Sequence, residues 1–230
     1  MNGQVQIHLH AQEDDWVQAA CAAIAGAVDG PGPQRLLLSG GSTPAPVYRQ
    51  LAGMPLPWER LQLGLADERW LPDGDAQRND LLVSQHLLQQ QPLARLQPLA
   101  RFDHGLATCV AAANARWQAH PATSVAVLGM GNDGHTASLF PGAGNLQAAI
   151  DSPLPYAVID ASDCPGAQQF PLRISLTPTG LAACQTRILL LRGQDKLNTL
   201  HAALASDDAQ RYPILYALHP QQALQVLCCA

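Results

Sequence analysis

Residues 124–142 read SVAVLGMGNDGHTASLFPG. An apolar run ends in three glycines spaced G-x-G-x-x-G, at Gly129, Gly131 and Gly134, and a histidine, His135, follows at once. That spacing is a dinucleotide-binding fingerprint when a strand precedes it, a full crossover helix follows it and an acidic residue ends the next strand. Here the helix is missing. His135 to Phe140 is cut by Pro141-Gly142, which leaves room for about two helical turns. Asp151 and Asp160 lie at tolerable distances for the acid, but no evident strand leads into Asp151. The glycines therefore read as shaping a tight turn that presents Asp133 and His135.

Outward from this stretch, short apolar runs alternate with segments of helical period. Strands are expected at residues 5–10, 36–38, 61–66, 124–128, 156–159, 172–176 and 188–192. Trp16, Ala20, Ile24 and Val28 recur on one helical face. Leu106, Val110, Ala113 and Trp117 do the same, with Asp103 as the expected N-cap, and Leu197, Leu200 and Leu204 mark a late helix. Near-continuous apolar strands separated by helices predict an α/β protein, a mostly parallel sheet with helices on both faces. The Pro- and Gly-rich segments 28–33 and 153–171 read as loops within one unit, so residues 1–230 are expected to form a single domain.

The composition limits the function. The chain has 230 residues, 47% of them hydrophobic, enough for a sizeable core. No apolar run reaches transmembrane length, and MNGQVQIHLH has neither a basic n-region nor an apolar h-region; a soluble, cytoplasmic protein with no membrane partner is expected. A formal net charge of −5 argues against a nucleic-acid surface, which needs a basic stripe. If the ligand is anionic, its cations must be local and few, which draws attention to Lys196, the only lysine. Genome composition also explains scarce lysine. The six cysteines show no C-x-x-C spacing and no zinc-like grouping, so they read as buried thiols of a reducing compartment, with Cys228–Cys229 able to oxidise in vitro. His8 and His10 share a strand face but lack a third ligand, and no metal is expected.

Ligands of parallel sheets bind outside the carboxyl ends of the strands, and four such ends carry chemistry here. The first is SGGSTP, residues 39–44. Gly40 and Gly41 let backbone N–H groups approach a ligand, Ser42 and Thr43 add hydroxyl donors, and Pro44 suits the first turn of a helix whose N-terminus favours an anion. The bland alternative is a strand-to-helix turn with a serine cap. The second is Asp67-Glu68-Arg69, where Arg69 can fork onto phosphate or carboxylate and Asp67 can bind sugar hydroxyls or orient a water; the alternative is a solvated turn with an internal ion pair. The third is the Gly129–His135 turn. A helix starting at His135 would disfavour the imidazolium and leave a neutral base, with Asp133 opposing this or orienting the ring; the alternative is a structural histidine. The fourth is Gly193-Gln194-Asp195-Lys196. Ser42 and Ser138 are not in G-x-S-x-G elbows, and no Ser or Cys nucleophile stands out. Four ends with complementary chemistry point to one pocket.

In this order, SGGSTP at 39–44, ADER at 66–69, GMGNDGHTASLFPG at 129–142, PLRISLT at 171–177 and GQDK at 193–196 resemble the 6-phosphogluconolactonase family. That family shares a modified Rossmann-like fold with glucosamine-6-phosphate deaminases. The third block is highly specific and the others are individually weak. The resemblance implies hydrolysis of 6-phosphoglucono-δ-lactone to 6-phosphogluconate in the pentose phosphate pathway. It implies His135 as the base that activates water; Asp133 and Asp67, from the reading of the residues themselves, are placed beside it in the catalytic set. It implies phosphate contacts from Gly40, Gly41, Ser42, Thr43, Arg69 and Lys196, with Arg173 a further cation. The partner is then a sugar phosphate, no metal or organic cofactor is needed, and the assembly is a monomer or small homo-oligomer. Three features depart from the family pattern: Asn132 where proline usually precedes Asp-Gly-His, Arg78 where serine often precedes asparagine, and a tail, QALQVLCCA, without the usual aromatic and acidic ending. Two other functions fit the same fold. An amino-sugar phosphate isomerase or deaminase would use Asp67 as its carboxylate base. A sugar-phosphate sensor would carry an added DNA-binding module, whereas this chain begins near its first strand, at Val5.

Overall fold

The computed structural model describes residues 4–167 and 169–230. The first half runs β1 (Val5–His10), α1 (Glu13–Val28), β2 (Gln34–Leu38), α2 (Ala45–Ala52), β3 (Leu61–Leu65), β4 (Asp67–Arg69), α3 (Asn79–Val83) and α4 (Leu106–Ala119). The second runs β5 (Thr123–Leu128), α5 (Leu146–Ile150), β6 (Tyr156–Asp160), β7 (Leu172–Leu176), α6 (Pro178–Ala182), β8 (Thr186–Arg192), α7 (Gln194–Ser206) and β9 (Leu224–Cys229). The main sheet has six strands in the order β1-β9-β8-β5-β2-β3, and every pairing in it is parallel. Its central strands are apolar because both faces are covered: β2 is buried along its whole length, and β5 and β8 nearly so. α1 lays Trp16, Ala20, Ile24 and Val28 onto this sheet, and the Trp16 indole N–H donates to the Leu227 carbonyl at 2.9 Å.

Three sequence expectations need correction. The Asp67-Glu68-Arg69 segment is no solvated turn. It is a short strand of a second, three-stranded antiparallel sheet, β4-β7-β6, to which the 156–159 and 172–176 runs also belong. The chain passes between sheets at one residue. The Ala66 N–H donates to Leu38 of the main sheet at 2.9 Å, and its carbonyl accepts from Leu176 of the small sheet at 2.8 Å. Second, the unusual tail forms β9, inserted between β1 and β8. Cys228 and Cys229 are consecutive strand residues, so they face opposite sides, one buried and the other half-buried. All six cysteines are free thiols. Third, Asp103 does not cap α4. It lies in a 3-10 turn, and α4 starts after Gly105 without a side-chain cap.

Candidate active site

Adjoining elements of both sheets converge at the carboxyl ends of β2, β5 and β8. The loop after β2 carries Gly40, Gly41, Ser42 and Thr43, β4 carries Asp67 and Arg69, the turn after β5 carries His135, β7 carries Arg173 and α7 carries Lys196. All of these line one cleft of about 320 Å³. Its walls hold three cations, Arg69, Arg173 and Lys196, against one carboxylate, Asp67, in a chain of net charge −5.

The direct hydrogen-bond partners of the cations are neutral carbonyls. Arg69 lies directly opposite Arg173 in the β4–β7 ladder, although like charges facing each other destabilise a sheet. The Arg173 guanidinium donates to the carbonyls of Phe170 and Ala167, and that of Arg69 donates to the Gln77 carbonyl. Among the described residues neither arginine makes a salt bridge, and the buried Arg69 Nε–H has no partner. Burial pulls the Arg173 pKa below its ordinary value, Asp67 and Glu68 oppose that, and Arg69 adds to it. Lys196 donates to the Met130 carbonyl at 2.7 Å, which joins α7 to the turn after β5. Burial lowers its pKa too, against the opposing charge of Asp133.

The turn itself differs from its expected form. No helix follows His135; the next one is α5, so no helix dipole acts on the ring. The ring meets a carboxylate instead. His135 Nδ1 lies 2.6 Å from Asp133 Oδ1, and the His135 backbone N–H donates to the same oxygen at 3.2 Å. Burial pushes the Asp133 carboxyl up, but the bond to the ring and the imidazole charge outweigh it and hold the pKa below the usual value. An ionised carboxylate only accepts, so the Nδ1 proton lies in this bond and Nε2 is the nitrogen left to exchange a proton. The turn is closed by Gly131 N–H to the His135 carbonyl (2.9 Å) and the Thr136 hydroxyl to the Gly129 carbonyl (2.9 Å). Gly131 has a steric reason to be glycine: a Cβ there would sit 2.3 Å from His135 Nδ1 and 2.5 Å from Asp133 Oδ1. Phe140 covers the ring, with centroids 4.2 Å apart. Asp133 stands behind the ring and is not in the cleft wall.

Four further residues of this region were given no role by the sequence reading. The Ser138 hydroxyl donates to Asp67 Oδ2 at 2.6 Å, so this serine supports a carboxylate. Ala137 lines the cleft with φ 47°, a left-handed conformation that costs an alanine about 1 kcal/mol or more. Glu68 is completely buried and accepts the backbone N–H groups of Arg69, Asn79 and Asp80, pinning the start of α3 to β4. Desolvation raises its pKa to about 7, with the bonds from Asn79, Asp80 and Arg69 opposing. Asn79 donates from Nδ2 to the Asp67 carbonyl at 2.9 Å and reaches the cleft. The alternation 67–68–69 was the one available signal for Glu68, because a strand sends its middle residue to the opposite face.

The chain matches the family described as glucosamine-6-phosphate isomerases/6-phosphogluconolactonase over residues 10–227. It belongs to that family. It is 50% identical over 196 residues to a 6-phosphogluconolactonase of Xylella fastidiosa, covering 85% of this chain and 82% of the relative. Identity to the 6-phosphogluconolactonase of Pseudomonas aeruginosa is 36% over 182 residues, 78% of this chain and 75% of the relative. The crystal structure of a 6-phosphogluconolactonase from Shewanella baltica superimposes with a TM-score of 0.89 at 29% identity, covering 100% and 99% of the two chains. A monomeric glucosamine-6-phosphate deaminase shares the fold at a TM-score of 0.78 and 18% identity, covering 97% of each chain. Within the glucosamine-6-phosphate isomerase/6-phosphogluconolactonase family, the departure at Arg78 now has a structural account. Arg78 is buried and donates to Asp73, Asp80 and the carbonyls of Leu71 and Ala100, which fixes the loop between β4 and α3. Nothing in the structure explains asparagine at 132, whose backbone carbonyl accepts from Thr199 of α7 at 3.4 Å as that of any residue could.

Proposed function

We propose that this chain hydrolyses 6-phosphoglucono-δ-lactone to 6-phosphogluconate, a step of the oxidative pentose phosphate pathway. The observation that carries the proposal is the His135–Asp133 pair opening onto a cleft whose cations lack carboxylate partners. With its Nδ1 proton held by Asp133, His135 takes a proton from water at Nε2. The oxygen attacks the lactone carbonyl carbon, and the tetrahedral oxyanion meets the cationic wall and nearby backbone N–H groups. Collapse breaks the bond to the ring oxygen, which receives the proton from His135. A lactone is an activated ester, so one base and one water suffice without a covalent intermediate. Arg69, Lys196 and the Gly40–Thr43 loop bind the phosphate with Arg173 beside them, and this remote contact fixes the ring for attack. Asp67 accepts from a sugar hydroxyl, and Asp133 acts through His135.

The test is hydrolysis of the phosphorylated and unphosphorylated glucono-lactones, corrected for the spontaneous reaction. The wild type is expected to prefer the phosphorylated lactone strongly. His135→Ala is expected to keep its fold and lose about 10²–10⁴-fold in kcat. Full activity in that variant rules out His135 as the base. Release of ammonia from glucosamine 6-phosphate would favour the deaminase reading instead; that reading needs Asp67 as a free base, and its Oδ2 is already held by Ser138.

A further inference from the structure

Asn79, which follows Arg78 in the segment where the family pattern has serine before asparagine, was given no role above, yet it joins two of the turns that build the cleft. It is 3% exposed. Its backbone N–H is held by Glu68, and its Nδ2 donates to the Asp67 carbonyl at 2.9 Å. The second bond fixes the orientation of the amide, because a carbonyl can only accept and the NH₂ end must face it. The oxygen, Oδ1, then points the other way, toward the loop after β2. It lies so close to Gly40 that a Cβ there would sit 1.8 Å from it. Any side chain at position 40 would displace the amide, so this close approach accounts for Gly40 in its own right.

Among the described residues no protein donor reaches Oδ1, the atom is not fully buried, and Asn79 lines the cleft. An amide oxygen oriented by one bond and open on its other side selects a hydrogen-bond donor. The Asp67 carboxylate, which lines the same cleft, also only accepts. Acceptors of this kind disfavour a phosphate and favour hydroxyls, whereas Arg69, Arg173 and Lys196 do the reverse.

We infer that Asn79 is a specificity-determining residue whose Oδ1 accepts a hydrogen bond from one ring hydroxyl of the substrate, in a polyol corner shared with Asp67. This inference rests on the proposed lactonase function and assigns the orientation of the sugar within it: hydroxyls toward Asn79 and Asp67, phosphate toward the cations.

The experiment compares kcat/KM for 6-phosphoglucono-δ-lactone and its 2-, 3- and 4-monodeoxy analogues in the wild type, Asn79→Ala and Asn79→Asp. In the wild type at least one analogue is expected to be about tenfold or more poorer than the parent, because a site built to bind a hydroxyl penalises its loss. Asn79→Ala is expected to lower kcat/KM for the parent by a similar factor and leave that analogue nearly unchanged, so their ratio falls toward one. Asn79→Asp sets a second acceptor against the Asp67 carbonyl, removes the orienting bond and is expected to lose the ratio as well; should neither variant fold, equal wild-type kcat/KM for the parent and all three analogues overturns the inference. Equal losses on all four lactones in Asn79→Ala, or no loss on any, overturn it too and leave the lactonase function standing. Absence of wild-type turnover of the parent overturns the function and this inference together.

Discussion

An imidazole serves as a base only if the right nitrogen is free of its proton, and in the proposed reaction Asp133 decides which nitrogen of His135 that is. The pair is 2.6 Å apart, and the carboxyl is held below its ordinary pKa despite being partly buried. An asparagine at 133 would offer an NH₂ group as readily as a carbonyl and would no longer fix the tautomer. Asp133→Asn is therefore expected to lose about 10²–10⁴-fold in kcat with KM for the lactone little changed, as steady-state kinetics will show. A comparable rise in KM with kcat preserved would place Asp133 in binding instead. At this scale much of the candidate site is visible in the sequence, because Gly-Asn-Asp-Gly-His compresses the turn, the carboxylate and the proposed base into neighbouring positions. The reason the ring takes its state is not visible. A helix after His135 is the natural reading of Thr136 to Phe140, but Ala137 at φ 47° breaks that path and leaves the carboxylate in charge. Asn79 and Ser138 were illegible for another reason: each acts on Asp67 from a distance along the chain, 12 and 71 residues away.

At the scale of elements, β4 and α3 form one unit with a carboxylate at its centre. Glu68 is fully buried, and its pKa is raised from 4.5 to about 7. A raised carboxyl pKa means that the folded state binds the proton more tightly than the unfolded chain does. Its contribution to stability is complete below pH 4.5 and is lost as pH rises through about 7. Glu68→Gln cannot titrate, so the wild type is expected to lose on the order of 2 kcal/mol relative to that variant across the window. Urea unfolding at a series of pH values measures it, and parallel stability curves for the two proteins would show that Glu68 does not titrate there. The strands of the main sheet were legible because burial on both faces makes them apolar throughout, as in β2, β5 and β8. β4 was not, since three charged residues read as solvent-facing until a partner strand and α3 supply their contacts. The helical faces of α1 and α7 were equally plain, whereas α4 starts at Gly105, whose φ of 78° leaves no trace as a capping side chain.

Over the whole molecule, the two ends of the chain are adjacent strands: β9 lies between β1 and β8 and pairs with both along its length. Ending the chain at Ala223 would leave β1 without a partner and uncover the main sheet beside β8. Such a truncation is expected to abolish cooperative unfolding by circular dichroism, and a native-like transition would show that β9 is dispensable. The tail hid this role because glutamines interrupt its apolar run and because two cysteines stand where larger apolar residues are usual; buried thiols act as small hydrophobes. The passage between sheets at Ala66 has a consequence of its own. A strand sorts its residues by odd and even position, so the parity fixed at Ala66 sends Asp67 and Arg69 to the cleft and Glu68 away from it. Inserting a single residue after Ala66 would exchange the two sets. Glu68 would then take the position of Arg69, facing Arg173 with the opposite sign, and an acid would neutralise the arginine left in the cleft. The charge of this site is thus written as much in the count of residues leading up to it as in the residues themselves.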